Sequence, residues 1–217
     1  MAADPQTDFS SNPLTIRVHL TDASVHSFTQ ADPTIIKRLR STIEPARLFA
    51  QRRIIVGSEH SKAVFVATEV TRVDFLHDSF ERWEFPHGYT DIVELSEEEF
   101  RQHSHLDEPT LMVKRERPNP VGDLLVSFIK LQMRGSQPLF VMVEIFAKLP
   151  AENQSVMQFL LSKTAVHLRL RDNGIGVINL ANLVGYTTYP GVAQIPADSW
   201  LAEPVYHSTQ SSVSPRL

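Results

Sequence analysis

The sequence predicts an α+β fold, mainly antiparallel β, formed by an internal duplication of a β-hairpin, helix and β-hairpin unit. Runs rich in β-branched residues alternate with short polar turns along the chain, which is typical of antiparallel strands. The stretch from Ala165 to Pro190 also recurs in diverged form at residues 52–75. A helix start at Asp32 and Pro33 lies between the strand runs of the first half, so a mixed class is favoured.

The two copies of the repeated stretch align at a shift of 113 positions, which places Val64 on Val177. The same shift superposes the start of each half, where residues 16–20 meet residues 129–133. Two matches at one shift favour an ancient duplication. The alternative is that two unrelated stretches share only the periodicity of β-strands.

The domain organisation follows from this repeat. We expect a disordered lead at 1–13, repeat units at 14–76 and 127–189, an acidic connector with a short helix at 77–126, and a docking arm and flexible tail at 190–217. The units are expected to pack face to face about a pseudo-twofold axis, because a core of this size is marginal alone. The order of strand, turn, strand, kink and short strand resembles the closing part of small SH3-like or Sm-like barrels, so small-barrel-like closure is also expected. Such folds often bind peptides or RNA.

The composition is that of an ordinary soluble globular protein, with 217 residues, 42% hydrophobic and 21% charged. Cysteine is absent, which excludes disulfides, thiolate catalysis and zinc sites built on sulfur. The first residues lack the apolar core of a signal peptide, and no run has the length of a membrane span. We therefore expect a cytoplasmic protein.

The charge is segregated along the chain. Residues 14–76 and 127–189 each carry a balance of +3, whereas residues 77–126 carry −7. The acidic connector is thus able to lie over basic surface on its own repeats. The alternative is a solvated loop.

The first unit begins with two strand runs joined by a turn. Residues 14–20 alternate apolar and polar, and residues 25–30 return. A four-residue turn would place His19 opposite His26, either as a metal-binding pair or as surface histidines. Asp32 and Pro33 then start a helix, because Asp caps the first amides and Pro has no amide to satisfy.

The connector carries a second helix start and two histidines. Ser96 and Glu99 have the spacing of a capping box. His103 and His105 follow in a His-x-His pattern that suits a metal on a strand or loop, although no third ligand has a recognisable spacing.

The second unit resumes with a predicted strand that ends at Met133, followed by an almost wholly apolar strand at 139–147. Glu144 is the one charge in that strand, and we expect it to point to solvent or to an interface at the sheet edge. A helix is predicted from Pro150 to Lys163.

Three sets of residues are candidates for binding. A metal site would use His103 and His105. An anion or nucleic-acid site would use the basic residues Arg38, Arg40, Arg52, Arg53, Lys114, Arg115 and Arg117. An interface would use the aromatic residues Trp83, Phe85, Trp200 and Tyr206.

The chemistry of an enzyme is not evident in the sequence. It has no nucleophile elbow, P-loop, dinucleotide fingerprint or paired zinc motif, and no cofactor is expected. The leading hypothesis is a non-catalytic interaction or regulatory module that self-associates and presents strand surfaces to a protein partner. The alternatives are a nucleic-acid-binding protein and a metal-dependent enzyme; membrane binding is not expected.

Overall fold

The structure is a computed structural model that describes residues 12–80, 89–104, 123–147 and 160–189, together with residues 200 and 202. The described residues form two α-helices, α1 (Pro33–Thr42) and α2 (Glu97–Ser104). Neither helix is long and apolar enough to cross a membrane. The eleven described strands are β1 (Leu14–Leu20), β2 (Val25–Gln30), β3 (Arg53–Gly57), β4 (Lys62–Val66), β5 (Val70–Leu76), β6 (Tyr89–Leu95), β7 (Asp123–Met133), β8 (Leu139–Ala147), β9 (Ala165–Arg169), β10 (Ile175–Asn179) and β11 (Leu183–Tyr189).

Nine of the described strands form one sheet, in the order β11, β7, β8, β6, β9, β10, β5, β1, β2. Its pairs are antiparallel, as predicted, except for β6 with β9. β3 and β4 form a separate two-stranded sheet. Among the described residues β2 and β11 are the end strands of the large sheet and do not pair with each other. The expected small-barrel-like closure is therefore wrong, because the sheet stays open.

The first hairpin has a shorter turn than expected. His19 lies opposite Val25, and His26 lies opposite Val18, so the two histidines do not face each other. The reason is that the turn has only three residues, 21–23, so that the Leu20 N–H donates to the Ser24 carbonyl, and Ala23 adopts a left-handed conformation with φ of 68°. The predicted histidine pair across this hairpin is therefore wrong.

Helix α1 begins where the sequence predicts. The Asp32 side chain accepts hydrogen bonds from the backbone N–H groups of Thr34 and Ile35, and Pro33 occupies the first turn. Ile36 is buried against the core of the first half. The helix thus covers one face of the sheet with its apolar side.

The connector contributes more to the sheet than expected. The sequence predicted only a short helix there, and α2 confirms it: Ser96 and Glu99 form the capping box, with the Ser96 N–H donating to Glu99 Oε2 at 2.7 Å. Strand β6 was not predicted. It pairs with β8 on one side and touches β9 on the other, so the connector completes the sheet of the second half.

The two halves have the same strand pairing. In each half the first strand lies between the second and the last, as β2–β1–β5 and β8–β7–β11. The bounds of β4 and β10 differ by 113 positions, as do those of β5 and β11, which is the shift read from the sequence. Backbone contacts repeat as well: Thr21 N–H donates to the Glu69 carbonyl, and Arg134 N–H donates to the Asn182 carbonyl, both at 2.9 Å.

The halves are joined edge to edge, through antiparallel pairing of β5 with β10. A twofold relation would also pair the equivalent strands β4 and β11. Those strands do not pair with each other in the part of the chain that the structure describes. The expected face-to-face packing about a pseudo-twofold axis is therefore wrong, because one half continues the sheet of the other.

Strand β10 is buried along its whole length and belongs to the cores of both halves. Val177 packs in the hydrophobic cluster of the first half, with Val73 and Phe75. Its neighbour Ile178 packs in the cluster of the second half, with Leu168. Each buried aliphatic side chain stabilises the fold by about 1.5–3 kcal/mol, so this strand couples the two cores.

Glu144 on β8 is buried, with 4% of its surface exposed. The expectation that it points to solvent is therefore wrong, and the cause is that β8 lies inside the sheet, between β6 and β7. Most of the helix predicted from Pro150 lies outside the described residues, as do the lead up to residue 11 and the tail from 203.

Candidate functional site

A cluster of four charged or titratable side chains lies beside the seam between the halves. Arg72 and Asp74 are two residues apart on β5 and point to the same face of the sheet. His19 on β1 lies directly opposite Arg72, and Glu94 comes from β6. We call these four residues the charged cluster.

The charged cluster is connected by hydrogen bonds. Asp74 is fully buried and accepts from His19 Nε2 at 2.8 Å and from Arg72 Nη2 at 3.1 Å. Arg72 Nε also donates to Asp74 Oδ1, and Nη1 donates to Glu94 Oε1 at 2.7 Å. Arg72 therefore bridges two carboxylates, one from the first half and one from the connector.

The electrostatics favour the charged forms. Burial raises the pKa of Asp74, but the hydrogen bond from His19 and the charge of Arg72 outweigh burial and hold this pKa below its ordinary value. Burial likewise opposes the charge of Arg72, and Asp74 together with Glu94 outweighs that effect and raises its pKa above the ordinary value. The cluster is thus a charged, mutually neutralising network.

Gly176 makes room for this network. It lies opposite Asp74 in the β5–β10 pairing. A Cβ atom there would come within 3.0 Å of Asp74 Oδ1 and 2.8 Å of Leu170 Cδ2. The absence of a side chain lets β10 pass close over the buried carboxylate.

A cleft of about 330 Å³ opens beside the cluster. Its polar lining comes from the two halves and the connector: His19, Ser24, Thr71, Arg72, Glu94, Ser136 and Gln137. In the described residues, Asp74 is the hydrogen-bond partner of the His19 ring, and no nucleophilic hydroxyl joins it. The cluster links the two halves with the connector, and among the described residues it does not show the hydrogen bonding of a catalytic triad.

Described acidic residues of the connector contact arginines of both halves. Glu94 accepts a hydrogen bond from Arg72, and Asp91 accepts one from Arg169. Glu99 Oε2 lies 3.2 Å from Arg171 Nε. The lowered pKa of Glu99 has as its main cause the hydrogen bonds from Ser96. The charge segregation in the sequence indicated this contact, in which arginines of the repeats are neutralised within the chain.

The hairpin of β3 and β4 presents an apolar outer face. Ile55 lies opposite Val64, and these residues with Val66 are 55%, 46% and 53% exposed. Their neighbours Ile54 and Phe65 point inward and are buried. We call Ile55, Val64 and Val66 the hairpin face.

Strand β11 has a similar apolar surface at the end of the large sheet. Val184 is 68% exposed and Tyr186 is 50% exposed. Tyr186 lies opposite Leu131 of β7, and Val184 lies in a β-bulge between Leu183 and Gly185. We call Val184 and Tyr186 the β11 face.

The basic candidates are only partly described. Arg38, Arg52 and Arg53 are exposed, and Arg40 is partly exposed. Within the described ranges they form no ion pair. Lys114, Arg115 and Arg117 lie outside the described residues, so the full basic set is not brought together.

The metal candidates are likewise divided. His103 is exposed on α2, and its ring stacks on Phe128 with centroids 6.5 Å apart. His105 lies outside the described residues. A search restricted to the described residues finds no group of three metal-ligating side chains.

Of the aromatic interface candidates, Trp200 is described and is 97% exposed. Trp83, Phe85 and Tyr206 lie outside the described residues.

The charged cluster was not predicted from the sequence. Its signal was the pair Arg72 and Asp74, two opposite charges on the same side of an otherwise apolar strand.

The apolar strand surfaces were anticipated only as a class, since alternation identifies a strand but does not say which edge stays open.

Comparison of the chain with protein-family models, with curated proteins and with solved structures found no match.

Proposed function

We propose that the chain is a non-catalytic interaction module that self-associates through its strand surfaces. One observation carries this proposal: the hairpin face and the β11 face place five large, half-exposed hydrophobic side chains on strands with an open edge. Open apolar strand edges are a common site of pairing with another chain. Exposed apolar groups that cluster mark interaction surfaces more often than scattered ones do.

We attribute the two halves to an ancient duplication of one hairpin, helix and hairpin unit. Equivalent backbone hydrogen bonds support this: Ala67 N–H donates to the Arg52 carbonyl, and Leu180 N–H donates to the Thr164 carbonyl, both at 3.1 Å. Each bond joins the residue before the third strand of its half to the first residue of the 3-10 turn that follows the fourth strand. A unit that pairs with its own duplicate has a surface suited to pairing with further copies.

The charged cluster supports a structural role for the polar groups. Both carboxylates of the cluster accept hydrogen bonds from Arg72, and Asp74 also holds the His19 ring. His19 Nε2 donates to the buried carboxylate, and within the described ranges no side-chain hydroxyl is hydrogen-bonded to the His19 ring. The absence of cysteine supports a reducing compartment such as the cytoplasm.

Sedimentation velocity of the full chain tests self-association. We expect species larger than the 24.5 kDa monomer, with a fraction that rises with protein concentration. Ile55→Lys should lower that fraction at least tenfold, because it places a charge in the hairpin face. Val25→Lys is the matched control, since Val25 is 50% exposed on a different strand. A monomer at every concentration would overturn the proposal.

A second candidate function is nucleic-acid binding. The observation in its favour is that Arg38, Arg52 and Arg53 are exposed and form no ion pair within the described ranges. Retardation of DNA or RNA at low salt, weakened by Arg52→Glu with Arg53→Glu and by added salt, would support it. No retardation at low salt would contradict nucleic-acid binding.

A metal-dependent activity through His103 and His105 remains a prediction that metal analysis of the purified chain would test.

A further inference from the structure

The joint between the two halves is a pattern that the chain is able to repeat with another copy. In this joint Val177 of β10 lies opposite Val73 of β5, and Ile175 lies opposite Phe75, in antiparallel register. Val177 is fully buried and Val73 is 2% exposed. The joint therefore buries an aliphatic pair at its centre.

Each half contains the equivalent of both joint strands, but each uses only one of them. β4 is equivalent to β10, and β11 is equivalent to β5, at the same shift of 113 positions. Among the described residues β4 pairs with β3, and β11 pairs with β7, which leaves the other edge of each strand open. The equivalent of buried Val177 is Val64, and the equivalent of buried Val73 is Tyr186.

The equivalent residues are exposed, as expected if no strand pairs with the open edges of β4 and β11. Val64 is 46% exposed and Tyr186 is 50% exposed, whereas the residues they correspond to are buried. Both side chains are large and hydrophobic, so a partner strand at this position would bury apolar surface. The adjacent residues Val66 and Val184 are exposed in the same way, at 53% and 68%.

We propose that β4 of one copy pairs antiparallel with β11 of a second copy, in the register of the β5–β10 joint. This inference rests on the proposed self-association and names its surface, partner and register. Carrying the register across by 113 positions places Val64 opposite Tyr186 and Lys62 opposite Thr188. The central contact is then an aromatic residue against a β-branched one, a favourable cross-strand pair.

The remaining positions of this register are compatible. Phe65 lies opposite Gly185, whose added Cβ would meet nothing within 4 Å, so the strand can approach closely there. Ala63 lies opposite Thr187. Lys62 is the one charged residue among these positions, so no like charges face each other across the joint.

The assembly is head to tail, because the two strands that pair are different strands of the same chain. After each addition the assembly keeps one free β4 at one end and one free β11 at the other. A contact of this kind closes into a ring when the rotation between copies permits, and otherwise continues as a filament. Inside the chain the strands run β5–β10–β9, and between chains they run β11–β4–β3 in the same order.

Two variants test the direction of assembly, because each disables one of the two strands that pair. We expect Val64→Lys and Tyr186→Lys each to reduce association at least tenfold, since each keeps only one working strand. Mixed together, they should form a one-to-one complex that grows no further, because β11 of the first variant pairs with β4 of the second. Sedimentation velocity measures the mass, and circular dichroism verifies that each variant is folded.

Cysteine pairs test the register, since the chain has no cysteine of its own. Directly opposite residues bring their Cβ atoms to within disulfide reach. Val64→Cys mixed with Tyr186→Cys should cross-link on oxidation, as should Ala63→Cys with Thr187→Cys if the geometry of the first pair is less suitable. Val25→Cys mixed with Tyr186→Cys is the matched control and should not cross-link above background.

The outcomes separate the two proposals. If the wild-type chain stays monomeric, self-association itself fails. If it associates, yet the lysine variants associate as the wild type does and neither cysteine pair cross-links, the β4–β11 joint is wrong while self-association stands. Efficient cross-linking of Val64→Cys with itself would indicate a symmetric contact, and it would overturn the head-to-tail joint.

Discussion

At the scale of single residues, Asp74 gives the charged cluster its energetic importance. Its carboxylate is fully buried and neutralises Arg72, which has 18% of its side chain exposed. Breaking a buried ion pair by removing one partner is costly, because the remaining charge stays buried without full compensation. The same pair on the surface would contribute little.

Asp74→Asn should therefore destabilise the fold by about 3 kcal/mol at neutral pH, measured as the free energy of unfolding in urea. Asp172→Asn is the matched control, since Asp172 also lies near an arginine, Arg17, at 3.7 Å but has 72% of its side chain exposed. We expect the control to change stability by less than about 1 kcal/mol. Equal effects for both variants would contradict a stabilising role of the cluster.

The effect of Asp74→Asn should depend on pH in one direction. The pKa of Asp74 is lowered in the folded state, so its stabilisation is complete above the unfolded pKa of about 4. It is lost as the pH falls through the still lower folded pKa. The difference in unfolding free energy between wild type and variant should therefore shrink on acidification below about pH 4. A constant difference would assign the destabilisation to packing instead.

The sequence indicated the strand that carries Arg72 and Asp74 but not the network. Alternation places the two side chains on the same face, yet it does not say that the face is covered. Burial of Asp74 depends on β1 and β10, which flank β5 from distant parts of the chain. The sequence singled out His19 for a pairing with His26, and the pairing does not form because the turn is one residue shorter than expected.

At the scale of elements, two short 3-10 turns, Ala67–Glu69 and Leu180–Asn182, meet where the two halves join. Asn179 donates from Nδ2 to the carbonyls of Ala67 and Val70 at 3.1 and 2.9 Å. Asn182 donates to the Val70 carbonyl as well, at 3.0 Å. The amides of the second repeat therefore satisfy backbone carbonyls of the first, which would otherwise be buried without a partner.

Asn179→Asp should destabilise the fold by about 3 kcal/mol at neutral pH, because it replaces two donated hydrogen bonds with a carboxylate facing two carbonyl oxygens. The midpoint of urea unfolding measures the change. Asn173→Asp is the matched control: Asn173 is exposed with a φ of 62°, a conformation that Asp also tolerates. Similar midpoints for the two variants would show that the amide contacts are not important for stability.

Elements with strong local signals were predicted well, and those set by neighbours were not. The start of α1 was predicted from the adjacent residues Asp32 and Pro33, and that of α2 from Ser96 and Glu99, which are three positions apart. Strand β6 was missed because its acids made it look like a solvated connector, whereas they pair with Arg72 and Arg169 of distant strands. The open edges of β4 and β11 depend on the whole sheet order, which local periodicity does not contain.

At the scale of the whole molecule, the described halves are not independent folding units. The cluster of the first half includes Ala165 and Val177, which belong to the second repeat. Ile178, beside Val177 on β10, belongs to the other cluster. The two faces of β10 therefore lie in different cores. Loss of either core would expose a strand on which the other core depends, which favours a single cooperative unfolding transition.

Val73→Ala tests this coupling, because Val73 packs in the first-half cluster and lies opposite Val177 across the joint. We expect a loss of about 2 kcal/mol, from the removed methyl groups and the cavity that they leave. Hydrogen exchange measured by mass spectrometry should show lower protection in β8 of the second half as well as in β1. Val25→Ala, at an exposed position, should leave both unchanged. Faster exchange in β1 alone would mean that the halves open separately, and that the β5–β10 joint transmits less stability than its burial implies.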